Sequence, residues 1–146
     1  YVDYACRTYG PRFQVMDGAA LAYADNVFDE GLVAGVFHHL PDDLVRQMAR
    51  ELARVLKPAG RLLVMEDTLT RDWWNLIGRL MHAVDQGGYI RAEHEYLPLF
   101  EEYFVQEKAY PMRSGVCDYH VLVLRAKKGY PVPNMRSPAS PNPGTI

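Results

Sequence analysis

The stretch FDEGLVAGVFHHLPDDLVRQMARELARVLKPAGRLLVMED, residues 28–67, decides the fold. Within it GLVAGVF (31–37) is a nearly unbroken apolar run, the pattern of a central parallel strand covered on both faces. Pro41-Asp42-Asp43 then supplies a helix start, with carboxylates at the positive end of the helix dipole. Leu44, Met48, Leu52, Val55 and Leu56 recur at three and four residues and predict one apolar stripe, with Arg46, Arg50, Glu51 and Arg54 facing away. Ala59-Gly60 turns the chain out of the helix, and RLLVMED from Arg61 reads as a second buried strand. Strand, crossover helix and strand make one βαβ unit with parallel strands and a right-handed connection.

Upstream, Val2, Ala5, Cys6 and Tyr9 sit at helical spacing, and Gly10-Pro11 ends that short helix. RFQVMD (12–17) predicts a strand delivering the Asp17 carboxylate into the turn at Gly18, and ALAYADNVFD reads as a loop with a turn of helix. Downstream, Trp73, Trp74, Ile77, Leu80, Met81 and Val84 predict a helical stripe, followed by a second helix over 92–102 that Pro98 weakens. YFVQEKAY and DYHVLVLRA predict an antiparallel hairpin. From Gly129 the tail carries five prolines and is expected to be disordered. This topology lines up Asp17, the Gly35 to His39 segment and Glu66-Asp67 along one sheet edge, where ligands of open α/β sheets bind.

The 146 residues, 49% of them apolar and 23% charged, suit one domain, and a net charge of −2 gives no electrostatic footprint for nucleic acid. No apolar run reaches the roughly 20 residues of a membrane span. Cys6 and Cys117 match no metal or redox spacing, so a reducing, cytoplasmic setting is expected and no metal site.

DGAALAYADNVFDEGLVAGVFHHLPD followed by RELARVLKPAGRLLVMED resembles the middle and later motifs of class I S-adenosylmethionine-dependent methyltransferases of the UbiE-like, type 11 kind. RVLKPAGRLL (54–63) is the most specific part, and the resemblance covers about residues 1–127. It implies an α/β, Rossmann-like methyltransferase sheet with an antiparallel C-terminal hairpin. Residues 1–128 would then be the C-terminal part of that domain, 68–104 its substrate-side cover helices, and 129–146 a proline-rich tail. By the same resemblance, Asp17 would accept a hydrogen bond from the adenine amino group of S-adenosyl-L-methionine, and Gly18 and Ala19 would offer backbone N–H groups to the ring. Ala34, Gly35, Val36 and Phe37 would border the methionine half of the cofactor.

The family's glycine-rich loop after its first strand is not found in these residues, nor is the acidic residue that ends its second. The resemblance therefore implies an N-terminally truncated sheet lacking its first two strands. With the family's strand order 3-2-1-4-5-7-6, the strand holding Gly31 to Phe37 would keep an unpaired apolar edge. The expectation is a methyltransferase of a small-molecule acceptor in the intact protein. The alternative is a non-catalytic methyltransferase-like subunit or scaffold whose missing strands come from a partner chain.

The remaining polar residues each carry a bland reading beside the functional one. For Asp17 it is a turn-forming Asp before Gly. His38 and His39, the weak catalytic candidates, either act as a base near the methyl group or cap the pocket. Glu66 orients a substrate or caps the cover helix, or serves ordinary strand-end solvation or helix capping. Trp73 and Trp74 pack in the core or a lid, or line an acceptor pocket, and Arg91 meets an anionic acceptor or sits on a solvated face. A nicotinamide-dependent oxidoreductase has the same general architecture, but neither GxGxxG nor a Tyr followed four residues later by Lys is present. Methyl transfer requires positioning more than covalent help, so the lack of an evident catalytic dyad is compatible with it.

Overall fold

The computed structural model describes residues 1–69, 72–77, 80, 88–115 and 117–127. Its elements are α1 (Val2–Tyr9), β1 (Phe28–Ala34), a 3-10 turn (Phe37–His39), α2 (Asp42–Val55), β2 (Leu56–Asp67), α3 (Glu93–Tyr96), a second 3-10 turn (Leu97–Leu99), β3 (Phe104–Ser114) and β4 (Cys117–Ala126). The sheet order is β1-β2-β4-β3, with β1 parallel to β2 and both other pairings antiparallel. It is a mixed α/β sheet of four strands.

One face of the sheet carries the core. Leu62 and Val64 of β2 and Leu122 and Leu124 of β4 meet Val45 and Ala49 of α2, and Tyr96, Leu99, Phe100 and Phe104 close the same layer. Phe37 joins it through its ring, 5.4 Å from that of Phe100. Each such side chain contributes about 1.5–3 kcal/mol on leaving water, which holds α2 and the short α3 segment to the sheet. The helix over 92–102 shrinks to α3 and a 3-10 turn, because Pro98 has no N–H to donate.

Several expectations change. Of the predicted stripe, Val55 and Leu56 are buried and Leu44, Met48 and Leu52 half-buried, while Val45 and Ala49, one position on from Leu44 and Met48, are fully buried as well. Glu51 is buried rather than outward, because it takes the Leu21 N–H and the Arg54 guanidinium as partners. Residues 12–17 form no strand and 18–27 no helix; they run as loop and turns. A strand requires a neighbour for its backbone groups, and none of the described strands lies beside 12–17.

β1 is likewise an edge rather than a central strand, with only β2 beside it. Its residues alternate between half-buried and exposed, and Leu32 is 65% exposed. Trp73 and Trp74 are exposed rather than packed in the core. Much of their predicted helical stripe, including Met81 and Val84, and the tail from Gly129 lie outside the described residues.

The start of β2, where its pairing with β1 is irregular, holds a tight backbone feature. Ala59 adopts φ 67, and a Cβ on Gly60 would lie 2.9 Å from the carbonyl oxygens of both Asp29 and Lys57. Left-handed backbone costs a non-glycine residue about 1–2 kcal/mol, and overpacking costs a similar amount. Ala59→Gly is therefore expected to stabilise the protein by about 1 kcal/mol, and Gly60→Ala to destabilise it by about 2 kcal/mol. Thermal unfolding of the full-length protein checks both, with melting temperatures moving in opposite directions.

Candidate functional site

The carboxyl ends of β1 and β2 lie side by side, and the chain leaves β1 at Gly35 with φ 64. Immediately afterwards Glu66, 1% exposed, gathers the turn onto itself. Its Oε1 accepts the Val36 N–H at 2.9 Å, while its Oε2 accepts the His38 N–H at 3.3 Å and lies 2.8 Å from His38 Nδ1. A carboxylate only accepts, so the ring proton of this pair sits on Nδ1. His38 Nε2 then faces Asp67 Oδ2 at 3.9 Å, and the His38 and His39 ring centroids are 3.9 Å apart. Sequence alone leaves Glu66 open between strand-end solvation, helix capping and orienting a substrate; in the structure it accepts from the backbone of the turn and meets the His38 ring.

Arg91 is the larger correction. It was weighed as a ligand for an anionic acceptor, yet its side chain is 8% exposed and all its donors are spent. Nε and Nη2 reach Asp42 Oδ1, Nη1 reaches the carbonyls of Phe37 and Tyr89, and Nη2 also reaches that of Leu40. These five hydrogen bonds match the five N–H groups of a guanidinium, so none remains for a ligand. Phe37 is corrected too: its ring belongs to the core and its carbonyl to Arg91, which leaves only backbone to border a cofactor.

Asp17 is exposed and its Oδ1 accepts the Ala19 N–H at 2.9 Å, closing a local turn rather than ending a strand. Gly18 lies against α2, where an added Cβ would meet Met48 Cε at 2.6 Å. The loop that follows is tied down by one buried pair. Arg54 holds Glu51 and also donates to the carbonyls of Leu21 and Tyr23 and to Asp25. The bond to Glu51 is the largest cause holding the Arg54 guanidinium above its ordinary pKa.

Around His38 the structure adds groups the sequence reading passed over. Tyr96 is fully buried, donates its hydroxyl to the Asp67 carbonyl at 2.8 Å, and is pushed well above the usual phenol range by burial and then by the Glu66 charge. Tyr119, opposite Asp67 across the β2–β4 ladder, is also raised, first by burial and then by Asp67. His120 lies 3.6 Å from Glu93. Tyr119 and His120 stood in a segment read only as a strand, and the alternation of that strand is the signal that would have placed them at the sheet edge.

Set against S-adenosylmethionine, these residues fit in part. Ala34, Gly35 and Val36 make a fixed backbone wall at the carboxyl edge, with the Gly35 N–H on Met65 and the Val36 N–H on Glu66. Asp17 would have to release Ala19 or share its second oxygen to meet an adenine. Among the described residues no cluster of His, Cys, Asp and Glu is arranged to hold a metal ion, and no helix is long and apolar enough to cross a membrane. A cleft of about 670 Å³ lined by Arg46, Pro98, Phe104 and Lys127, among others, contains none of the candidate residues.

The sequence matches a family model described as a methyltransferase domain over residues 2–64, less than half of the chain. No curated protein matches significantly. Among solved structures, the PH0226 protein of Pyrococcus horikoshii is 22% identical over 86% of this chain and 64% of its own, with a TM-score of 0.63. The mitomycin 7-O-methyltransferase MmcR is 25% identical over 85% and 37%, with a TM-score of 0.62. Human N-acetylserotonin methyltransferase, solved in complex with SAM, is 20% identical over 87% and 38%, with a TM-score of 0.65. The chain spans 62–66% of the length of the first three structures it matches.

Glu66→Gln keeps the shape but puts an amide where a carboxylate accepts three N–H groups. Removing one partner of a buried charged hydrogen bond costs about 1.5–3 kcal/mol, and that loss is expected in urea unfolding of the full-length protein. An unchanged midpoint would contradict the role given to Glu66.

Proposed function

We propose that these residues are the acceptor-facing part of an S-adenosylmethionine-dependent methyltransferase acting on a small molecule. The observation that carries this reading is the turn at Val36 to His38, inside the span 2–64 that matches the methyltransferase-domain family and held by Glu66 just beyond it. The methyltransferase fold of the solved neighbours and the SAM complex of one of them support the cofactor. That cofactor supplies an electrophilic methyl group when bound.

The chain's own contribution is positional. Ala34, Gly35 and Val36 present backbone beside the methionine half, and Asp17, Gly18 and Ala19 lie at the adenine side. An in-line displacement gains several kcal/mol of its barrier from holding donor and acceptor in register, and a base is added only where the acceptor must lose a proton. His38 is the candidate for that task, with Nδ1 held 2.8 Å from Glu66 and Nε2 facing Asp67 Oδ2 at 3.9 Å. The His39 ring lies beside that of His38, tilted, with centroids 3.9 Å apart. Trp73 and Trp74, exposed on the segment after β2, are apolar surface for an acceptor.

Within this reading the full cofactor cradle includes chain beyond these residues, and the setting is the cytoplasm, where the free Cys6 and Cys117 stay reduced. The open edge of β1, with exposed Leu32, supports a second reading in which a partner chain completes the sheet and this chain is a subunit or scaffold. Native mass measurement separates the two: a partner-dependent complex favours the second.

Isothermal titration tests the cofactor. The full-length protein is expected to bind S-adenosylmethionine at micromolar concentration, the isolated residues 1–146 at least about tenfold more weakly, a difference of about 1.4 kcal/mol. No binding by the full-length protein would overturn the reading. Once an acceptor is found, His38→Gln is expected to lower kcat by about 10²–10⁴ if the acceptor is protonated, with cofactor binding retained.

A further inference from the structure

Among the described residues, Arg91 is a buried cation between residues 88–92 and the turn bearing His38, and its partners come from both. From its own segment it holds the Tyr89 carbonyl. From the turn it holds the Phe37 carbonyl at 2.8 Å and the Leu40 carbonyl at 2.7 Å, which are the two ends of the Phe37–His39 helix turn. From the first turn of α2 it holds Asp42. Two backbone contacts run in parallel with it: the Tyr89 N–H donates to the His38 carbonyl at 3.1 Å, and the Arg91 carbonyl accepts the Thr68 hydroxyl at 3.2 Å, at an isolated bridge between Thr68 and Arg91.

The consequence follows from how the turn is built. Glu66 holds His38 from the sheet side by accepting the Val36 and His38 N–H groups, and Arg91 holds the same turn from the cover side by donating to its carbonyls. A three-residue 3-10 turn has few internal hydrogen bonds of its own, so its shape depends on these outside partners. The cover and the turn are therefore coupled. If residues 88–92 lift, Phe37 and Leu40 lose their donor and Asp42 its cation.

We propose that Arg91 is a positioning residue, tying residues 88–92 to the Phe37–His39 turn and so holding the turn in the shape in which Glu66 sets the orientation and tautomer of the His38 ring. The consequence for catalysis rests on the methyltransferase reading above; the coupling itself does not. Arg91 touches neither cofactor nor acceptor in this role, and it needs a planar five-donor group, which lysine does not supply.

The test uses the full-length protein with ¹⁵N-labelled histidine at neutral pH, comparing Arg91→Met and Arg91→Lys with the parent and assigning His38 by its loss in His38→Gln. In the parent, His38 is expected to show the Nδ1–H form. In Arg91→Met it is expected to shift toward the Nε2–H form usual for a solvated imidazole. Amide exchange at Val36, His38 and Tyr89 is expected to quicken at least tenfold, with Leu63 and Val64 of β2 unchanged. Arg91→Lys is expected to fall between the two.

A His38 ring signal identical to the parent's in Arg91→Met would overturn the proposal. So would exchange that quickens equally at Leu63 and Val64, because Arg91 would then be a general stabiliser. If the tautomer and exchange respond as stated while the full-length protein binds no S-adenosylmethionine, the coupling stands and the methyltransferase reading falls.

Discussion

The Glu66 carboxylate is the contact on which the ligand-facing edge depends. It ends the central strand β2 with its side chain on the core face, where Leu62 and Val64 precede it at every second residue. A charge in that position is costly unless its lone pairs are filled. They are filled by two backbone N–H groups and one imidazole, all from the Val36 to His38 segment. The same three bonds that make Glu66 tolerable in the core give the turn its shape, and the core is completed by Phe37 from that turn. Packing, turn geometry and the aim of His38 are thus one arrangement.

A second constraint is the open side of β1. A parallel strand with one neighbour leaves half of its backbone groups unmatched by the sheet, and here the exposed Leu32 adds apolar surface to that edge. The loop carrying Asp17 to Ala19 feels the same constraint. Without a strand beside it, it is held by side chains instead, above all by the buried Arg54 and Glu51 pair of α2. Side-chain tethers replace a ladder where the described residues offer no ladder to join.

Much of this was legible from residue order. The parallel βαβ unit, its turn at Ala59-Gly60 and the antiparallel hairpin follow from local apolar pattern and turn chemistry, and β1, β2, β3 and β4 pair as that pattern implies. What was misread shares a cause. GLVAGVF is written for burial on two faces, yet whether a strand is central depends on neighbours that its own residues cannot name. RFQVMD alternates as a strand does, yet forms none for want of a partner. Val45 and Ala49 of α2 and the polar Glu51 are buried beyond the predicted stripe, Glu51 by pairing with Arg54 and the Leu21 N–H.

Arg91 and Glu66 mark the same boundary most clearly. The sequence by itself determined the class of fold, the strand ends where polar residues collect, and the candidates His38, Glu66 and Asp17. Only the tertiary structure decided what those polar groups bind. An ionisable side chain looks alike in sequence whether it waits for a ligand or serves the protein's own backbone, and the difference rests on which carbonyls and N–H groups the fold brings within about 3 Å of it.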